Sequence, residues 1–104
     1  MEYLLGIDVG STSMKALIYD LDGNVVAQSS QPSQSIANNP DHPNWHVYLP
    51  EDIWHGIGSA IKGAVDQIDS PGSIKAAAVT GLGADAVPLD GKGEPVYPFI
   101  NWLC

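Results

Sequence analysis

Asp8-Val9-Gly10-Ser11-Thr12-Ser13-Met14-Lys15, near the amino terminus, gathers a carboxylate, a glycine, hydroxyls and an amine within one short stretch. Such a set can hold a phosphate-like anion. Gly10 lets the backbone approach a ligand closely, successive main-chain N–H groups make an anion-binding concavity, and Ser11, Thr12 and Ser13 add hydroxyl donors. Asp8 is placed to hold a magnesium ion through water, and Lys15 supplies a positive side chain. The same residues also suit an ordinary hairpin turn in which serine and threonine bond their own backbone, so taken alone the motif leaves both readings open.

Two commoner phosphate loops fail on pattern. A Walker A loop needs Gly-Lys followed by Ser or Thr ahead of a helix, and the only Gly-Lys here, Gly91-Lys92, precedes glycine in a turn. The dinucleotide fingerprint needs its glycines to open a helix, whereas Met14 to Tyr19 reads as a strand. A phosphate clamp in this chain would therefore be a β-hairpin. A second candidate is Gly81-Leu82-Gly83-Ala84-Asp85, where small residues leave room for a ligand and Asp85 can accept hydrogen bonds from hydroxyls or simply be solvated. Trp102 lines a sugar face or fills core. His42 and His46 lie in a proline-bearing loop, whose spacing gives no common metal-binding face, and His55 reads as a solvated helix residue. Trp45 and Trp54 read as core or docking aromatics. No Ser-His-Asp or Cys-His arrangement is suggested.

These candidates need elements to position them. The apolar run Tyr3 to Ile7, ending at Asp8, predicts a buried strand; Met14 to Tyr19 predicts a second. Asp20 to Asn24, with its Asp-Gly, predicts a turn into a third strand from Val25, giving an antiparallel meander. Gln31 to Asn44, rich in proline, amides and serine, predicts a loop. Pro50-Glu51-Asp52 starts a helix, with Ile53, Ile57, Ala60, Ile61, Ala64 and Ile68 on one face, before Ser70-Pro71-Gly72 ends it. Gly56, Gly58 and Gly63 each cost roughly 1 kcal/mol against alanine in such a helix, so packing must supply its stability. Ile74 to Thr80 predicts another strand, and Ala86 to Leu89 with Pro95 to Tyr97 a hairpin about the turn Asp90-Gly91-Lys92-Gly93. The order β-β-β-α-β plus a hairpin is a mixed α/β plan.

Bulk properties narrow the function. A chain of 104 residues, 44% hydrophobic and 15% charged, suits one domain with a modest core. Its formal charge of -8 repels nucleic acid and anionic lipid, so no nucleic-acid or membrane partner is expected. The single cysteine, Cys104, rules out an internal disulfide and a cysteine zinc site, and fits a cytoplasmic location. No stretch approaches the ~20 apolar residues of a membrane span.

Together the motifs resemble the amino-terminal part of the FGGY carbohydrate kinases, over essentially all 104 residues. Gly6 to Ser13, with Lys15 ahead of Ala16-Leu17-Ile18-Tyr19-Asp20, is similar to the first phosphate motif of the wider actin, hexokinase and heat-shock ATPase superfamily. More specific are Trp45 with Pro50-Glu51-Asp52-Ile53-Trp54, then Ile74 to Gly81, and Leu89 to Trp102. The resemblance implies a ribonuclease-H-like (actin-like ATPase) mixed sheet in truncated form, residues 1–104 being the first part of the N-terminal domain. It implies ATP and Mg2+ as cofactors, with Asp8 positioning magnesium and Gly10, Ser11, Thr12, Ser13 and Lys15 forming the loop that contacts the ATP phosphates. It implies a sugar or polyol as acceptor, faced by Gly83, Ala84, Asp85 and Trp102.

The acceptor side departs from the family pattern. Leu82 stands where glutamine is usual, Asp85 where glycine or threonine is frequent, Cys104 in a place often held by aspartate, and Val47-Tyr48-Leu49 in place of a more polar run. An unusual sugar or polyol fits these changes. A non-kinase ATPase of the superfamily and a non-catalytic binding or regulatory module are the other readings. The resemblance puts the catalytic base, the second phosphate motif and the adenosine pocket beyond residue 104, so no catalytic residue is expected within the chain. The 104-residue piece alone is accordingly expected to be inactive, and its open sheet edges to favour self-association.

Overall fold

The computed structural model describes residues 1–37, 39–81 and 87–100, with the backbone alone at 99 and 100. Strands β1 (Tyr3–Val9), β2 (Ser13–Asp20) and β3 (Val25–Pro32) pair antiparallel in chain order, forming the expected meander. Alternation in β2 explains its seating: Met14, Ala16 and Ile18 are buried, while Lys15 between them is exposed. At the β2–β3 turn, Asp20 Oδ1 accepts the N–H groups of Asp22 and Asn24, each at 2.9 Å, and Gly23 takes a φ of 88°. The Asn24 side-chain amide, followed by its backbone N–H, holds the Asp20 carboxyl below its ordinary value of 3.8.

A helix α1 (Pro50–Val65) follows, then a short 3-10 turn (Pro71–Ser73) and strand β6 (Ile74–Thr80). Strand β6 runs parallel to β1, giving the sheet order β3-β2-β1-β6. The helix is shorter than the spacing predicts, because its hydrogen bonds tighten at the end: Gln67 N–H reaches Ala64 O and Ile68 N–H reaches Val65 O. Ile68 nevertheless packs against the core, which is why the apolar periodicity continues past the helix.

Helix α1 lies over β2 and β3. Its glycines have separate roles. A Cβ at Gly56 would strike the Met14 side chain and one at Gly63 would run into Ser29, so these two bring the helix close to the sheet. Gly58 faces open space. Gly58→Ala should therefore stabilise the protein by about 1 kcal/mol. Gly63→Ala should destabilise it by about 1–3 kcal/mol through overpacking. Urea denaturation of the two variants checks the opposite signs.

The loop expected from Gln31 to Asn44 is partly strand. β3 continues through Pro32, and β4 (Ile36–Ala37), β5 (His46–Tyr48) and β7 (Phe99–Ile100) form a second sheet in the order β4-β5-β7. Proline tolerates this sheet-end position because its missing N–H is not needed by the pairing at Ser13. The second hairpin, in contrast, is reduced to one bridge between Leu89 and Pro95, with Val96 N–H bonded to Pro88 O at 3.0 Å. Pro88 has no N–H to return the bond it accepts from Val96, so the ladder goes no further. Its turn repeats the first one: Asp90 Oδ1 accepts the N–H groups of Lys92 and Glu94, and Gly93 has a φ of 81°. Ala86 lies outside the described residues.

Candidate functional site

No helix follows the bend after β1. The chain turns through Gly10–Thr12 directly into β2, and Gly10 N–H closes the turn on Ser13 O at 2.9 Å. A Cβ at Gly10 would lie 2.8 Å from that same oxygen, so the closure requires glycine.

Each carbonyl of the bend is bonded to another part of the protein. Gly10 O accepts Ser33 Oγ–H at 2.7 Å, Ser11 O accepts the Tyr48 hydroxyl at 2.9 Å, and Thr12 O accepts Ser33 N–H at 2.9 Å. A trans peptide sets its N–H opposite its C=O, so the N–H groups of Ser11, Thr12 and Ser13 are turned away from Ser33 and Tyr48. The Ser11 and Thr12 N–H groups meet no acceptor among the described residues, and both side chains are exposed. Acceptors tied back and donors left outward make an anion-seeking surface.

Charge lies beside it. Asp8 is the direct cross-strand partner of Lys15, and on its other flank Asp8 pairs with Thr80 of β6. Asp8, Lys15 and Thr80 are all exposed, on the sheet face away from α1. Among the described residues the ion pair is Lys62–Asp66 on the helix, so Asp8 and Lys15 are not spent on each other. A hollow of ≈ 400 Å³ runs along this face over Gly6, between Tyr19 and Ala78, with Asp8 and Thr80 at its end. Gly6 keeps it open, since a Cβ there would approach Tyr19 Cε2 to 3.3 Å.

The bend thus brings together Asp8, Gly10, Ser11, Thr12, Ser13 and Lys15, all singled out from the sequence. Ser33, Tyr48 and Thr80 were not. Thr80 ends a strand that the sequence predicts, but its pairing beside Asp8 emerges only in the fold. Nothing local in the sequence marks Ser33, and Tyr48 stands out only within an apolar replacement of a usually polar run; their bonds to the bend span 23 and 37 positions. Gly83, Ala84, Asp85 and Trp102 lie outside the described residues.

The remaining candidates lie at the surface. Trp45 is stacked on His42 with ring centroids 3.7 Å apart, and Trp54 is 76% exposed, so neither is a core residue. His46 Nδ1 lies 3.2 Å from Ser35 Oγ, and His55 is exposed. Among the described residues no group of His, Cys, Asp or Glu side chains is set to hold a metal by itself. A cation at Asp8 would therefore complete its shell with phosphate oxygens and water, as magnesium commonly does. No helix among the described residues is long and apolar enough to cross a membrane.

The model of the FGGY family of carbohydrate kinases, N-terminal domain, matches residues 3–104. A glycerol kinase of Thermococcus gammatolerans is 32% identical over 103 residues, covering 98% of this chain and 20% of that relative. The structure of ligand-bound xylulose kinase from Lactobacillus acidophilus superposes with a TM-score of 0.86 at 25% identity, over 99% of this chain and 20% of its own. Plasmodium falciparum glycerol kinase with ADP superposes with a TM-score of 0.80, also at 25% identity, over 99% and 21%. The chain spans about a fifth of the length of the relatives it matches. The mixed sheet and its helix have the actin-like ATPase fold of these sugar kinases.

Proposed function

The chain belongs to the FGGY family of carbohydrate kinases, and from that premise we propose that the protein carrying it phosphorylates a hydroxyl of a sugar or polyol, using ATP with magnesium. Residues 1–104 are then the first part of a ribonuclease-H-like N-terminal domain, and the base that deprotonates the acceptor lies elsewhere in the protein. Kinases of this family use ATP, whose terminal phosphoryl group is what the reaction transfers. The observation that carries this reading is the bend itself: the carbonyls of Gly10, Ser11 and Thr12 are tied back, which turns the N–H groups of Ser11, Thr12 and Ser13 outward beside Asp8 and Lys15.

In this reading the amides of Ser11, Thr12 and Ser13 and the neighbouring hydroxyls orient the phosphate oxygens. Lys15 offsets their charge, and Asp8 binds the hydrated magnesium. Phosphoryl transfer is mainly positioning and charge stabilisation, so a rigid array of preoriented donors is the contribution this segment can make. Gly83, Ala84, Asp85 and Trp102 face the acceptor, and the protein works in the cytoplasm.

The full-length protein is tested by an ATP-consumption assay across glycerol, xylulose and further polyols, aldoses and ketoses. Acceptor-dependent ADP release is expected with one chemical class. Hydrolysis indifferent to every acceptor would instead indicate an ATPase, and no turnover at all a binding module.

A further inference from the structure

We propose that Tyr48 is a positioning residue for the phosphate-binding bend: its hydroxyl fixes the peptide between Ser11 and Thr12 with the N–H outward. The inference rests on the bend being a nucleotide site, as proposed above. Ser33 holds the two outer carbonyls, one of them through its own backbone N–H, and that bond is part of the chain path leaving β3. The middle peptide is different. Its carbonyl, Ser11 O, is held by a side chain reaching from another sheet.

A peptide in a short turn can rotate as a unit, and a half-turn would exchange an N–H directed at the ligand for a carbonyl oxygen. That oxygen would repel phosphate. The Tyr48 bond opposes this rotation from a rigid base, because Tyr48 is 3% exposed and packed with Val9, Met14 and Ile53. A tyrosine ring also has few torsions to lose when fixed. Strand β5, which carries Tyr48, pairs with β7 at Phe99. The bend is thereby linked mechanically to the segment that continues toward Trp102.

Isothermal titration of the full-length protein with MgADP tests the assignment. Tyr48→Phe removes the hydroxyl and keeps the ring, and should weaken MgADP binding about tenfold, the effect of one hydrogen bond together with an unsatisfied carbonyl. Ser33→Ala, which leaves the Ser33 N–H in place, should weaken it less. Val47→Ala is the structural control: Val47 is 2% exposed in the same strand, so its truncation should lower the melting temperature while MgADP affinity stays within twofold. Tyr48→Phe binding MgADP within twofold of the wild type would overturn the assignment, as would an equal loss in Val47→Ala. If Tyr48→Phe does not fold, an unaltered affinity in Ser33→Ala would overturn the tied-back arrangement on which the assignment stands. A wild-type protein that binds no MgADP would bring down the functional reading itself, and the inference with it.

Discussion

On the proposed reading, Asp8→Ala in the full-length protein is expected to lower kcat/KM by about 10³-fold or more, while leaving the protein folded. A metal ion contributes several kcal/mol of charge stabilisation in phosphoryl transfer, and each 1.36 kcal/mol of that is about tenfold in rate. Asp8 is the only carboxylate between Gly6 and Tyr19, and it is exposed at the end of β1 beside the outward amides. Its removal also leaves Lys15 beside a neutral residue, which should strengthen the grip on bare phosphate. The expected signature is therefore a collapse of kcat with a requirement for much higher magnesium, rather than a failure to bind nucleotide. Steady-state kinetics over a magnesium series, for Asp8→Ala and the isosteric Asp8→Asn, distinguish the two. A loss smaller than tenfold would remove Asp8 from the metal site.

Ile18→Ala is expected to be the most damaging simple truncation in the described core, at about 2–5 kcal/mol. Among the described residues Ile18 is the one large side chain fully buried, and its buried neighbours in the layer between sheet and helix are Ala16, Ala27, Ala60 and Ala64. Alanines cannot swing into the space vacated. The helix backbone, already drawn close at Gly56 and Gly63, has little room to settle further before meeting Met14 and Ser29. The cavity should persist, which puts the loss toward the upper end of the range. Chemical denaturation with an unchanged slope would identify it as a stability effect, and a change below 1 kcal/mol would show that the layer collapses freely.

The elements built on long periodic runs were legible. Strands β1, β2, β3 and β6 and helix α1 carry their own apolar runs, alternation or three- and four-residue spacing, and the candidate phosphate motif stands out because its chemistry is local. Short elements carry no such signal. β4 and β7 have two residues each, and β5 begins on a histidine, so their pairing is decided by partners far away in the chain. Tyr48 illustrates the loss most clearly. The sequence shows only an apolar replacement in a usually polar run, whereas the fold makes its hydroxyl the partner of Ser11 O. The helix glycines were legible as a cost but not as a fit, because the spacing that sets Gly56 and Gly63 against the sheet says nothing about which side chains wait there.

The parallel pairing of β1 with β6 has a consequence for synthesis. The meander can close from neighbours as it leaves the ribosome, each strand meeting the next across a turn of a few residues. Strand β1 also borders β6, and that border stays bare until the polypeptide has been made as far as Thr80. Asp8 therefore waits for its flank through the translation of the entire intervening helix, and the nascent protein carries an unfinished margin beside the bend at Gly10–Thr12 for that whole interval.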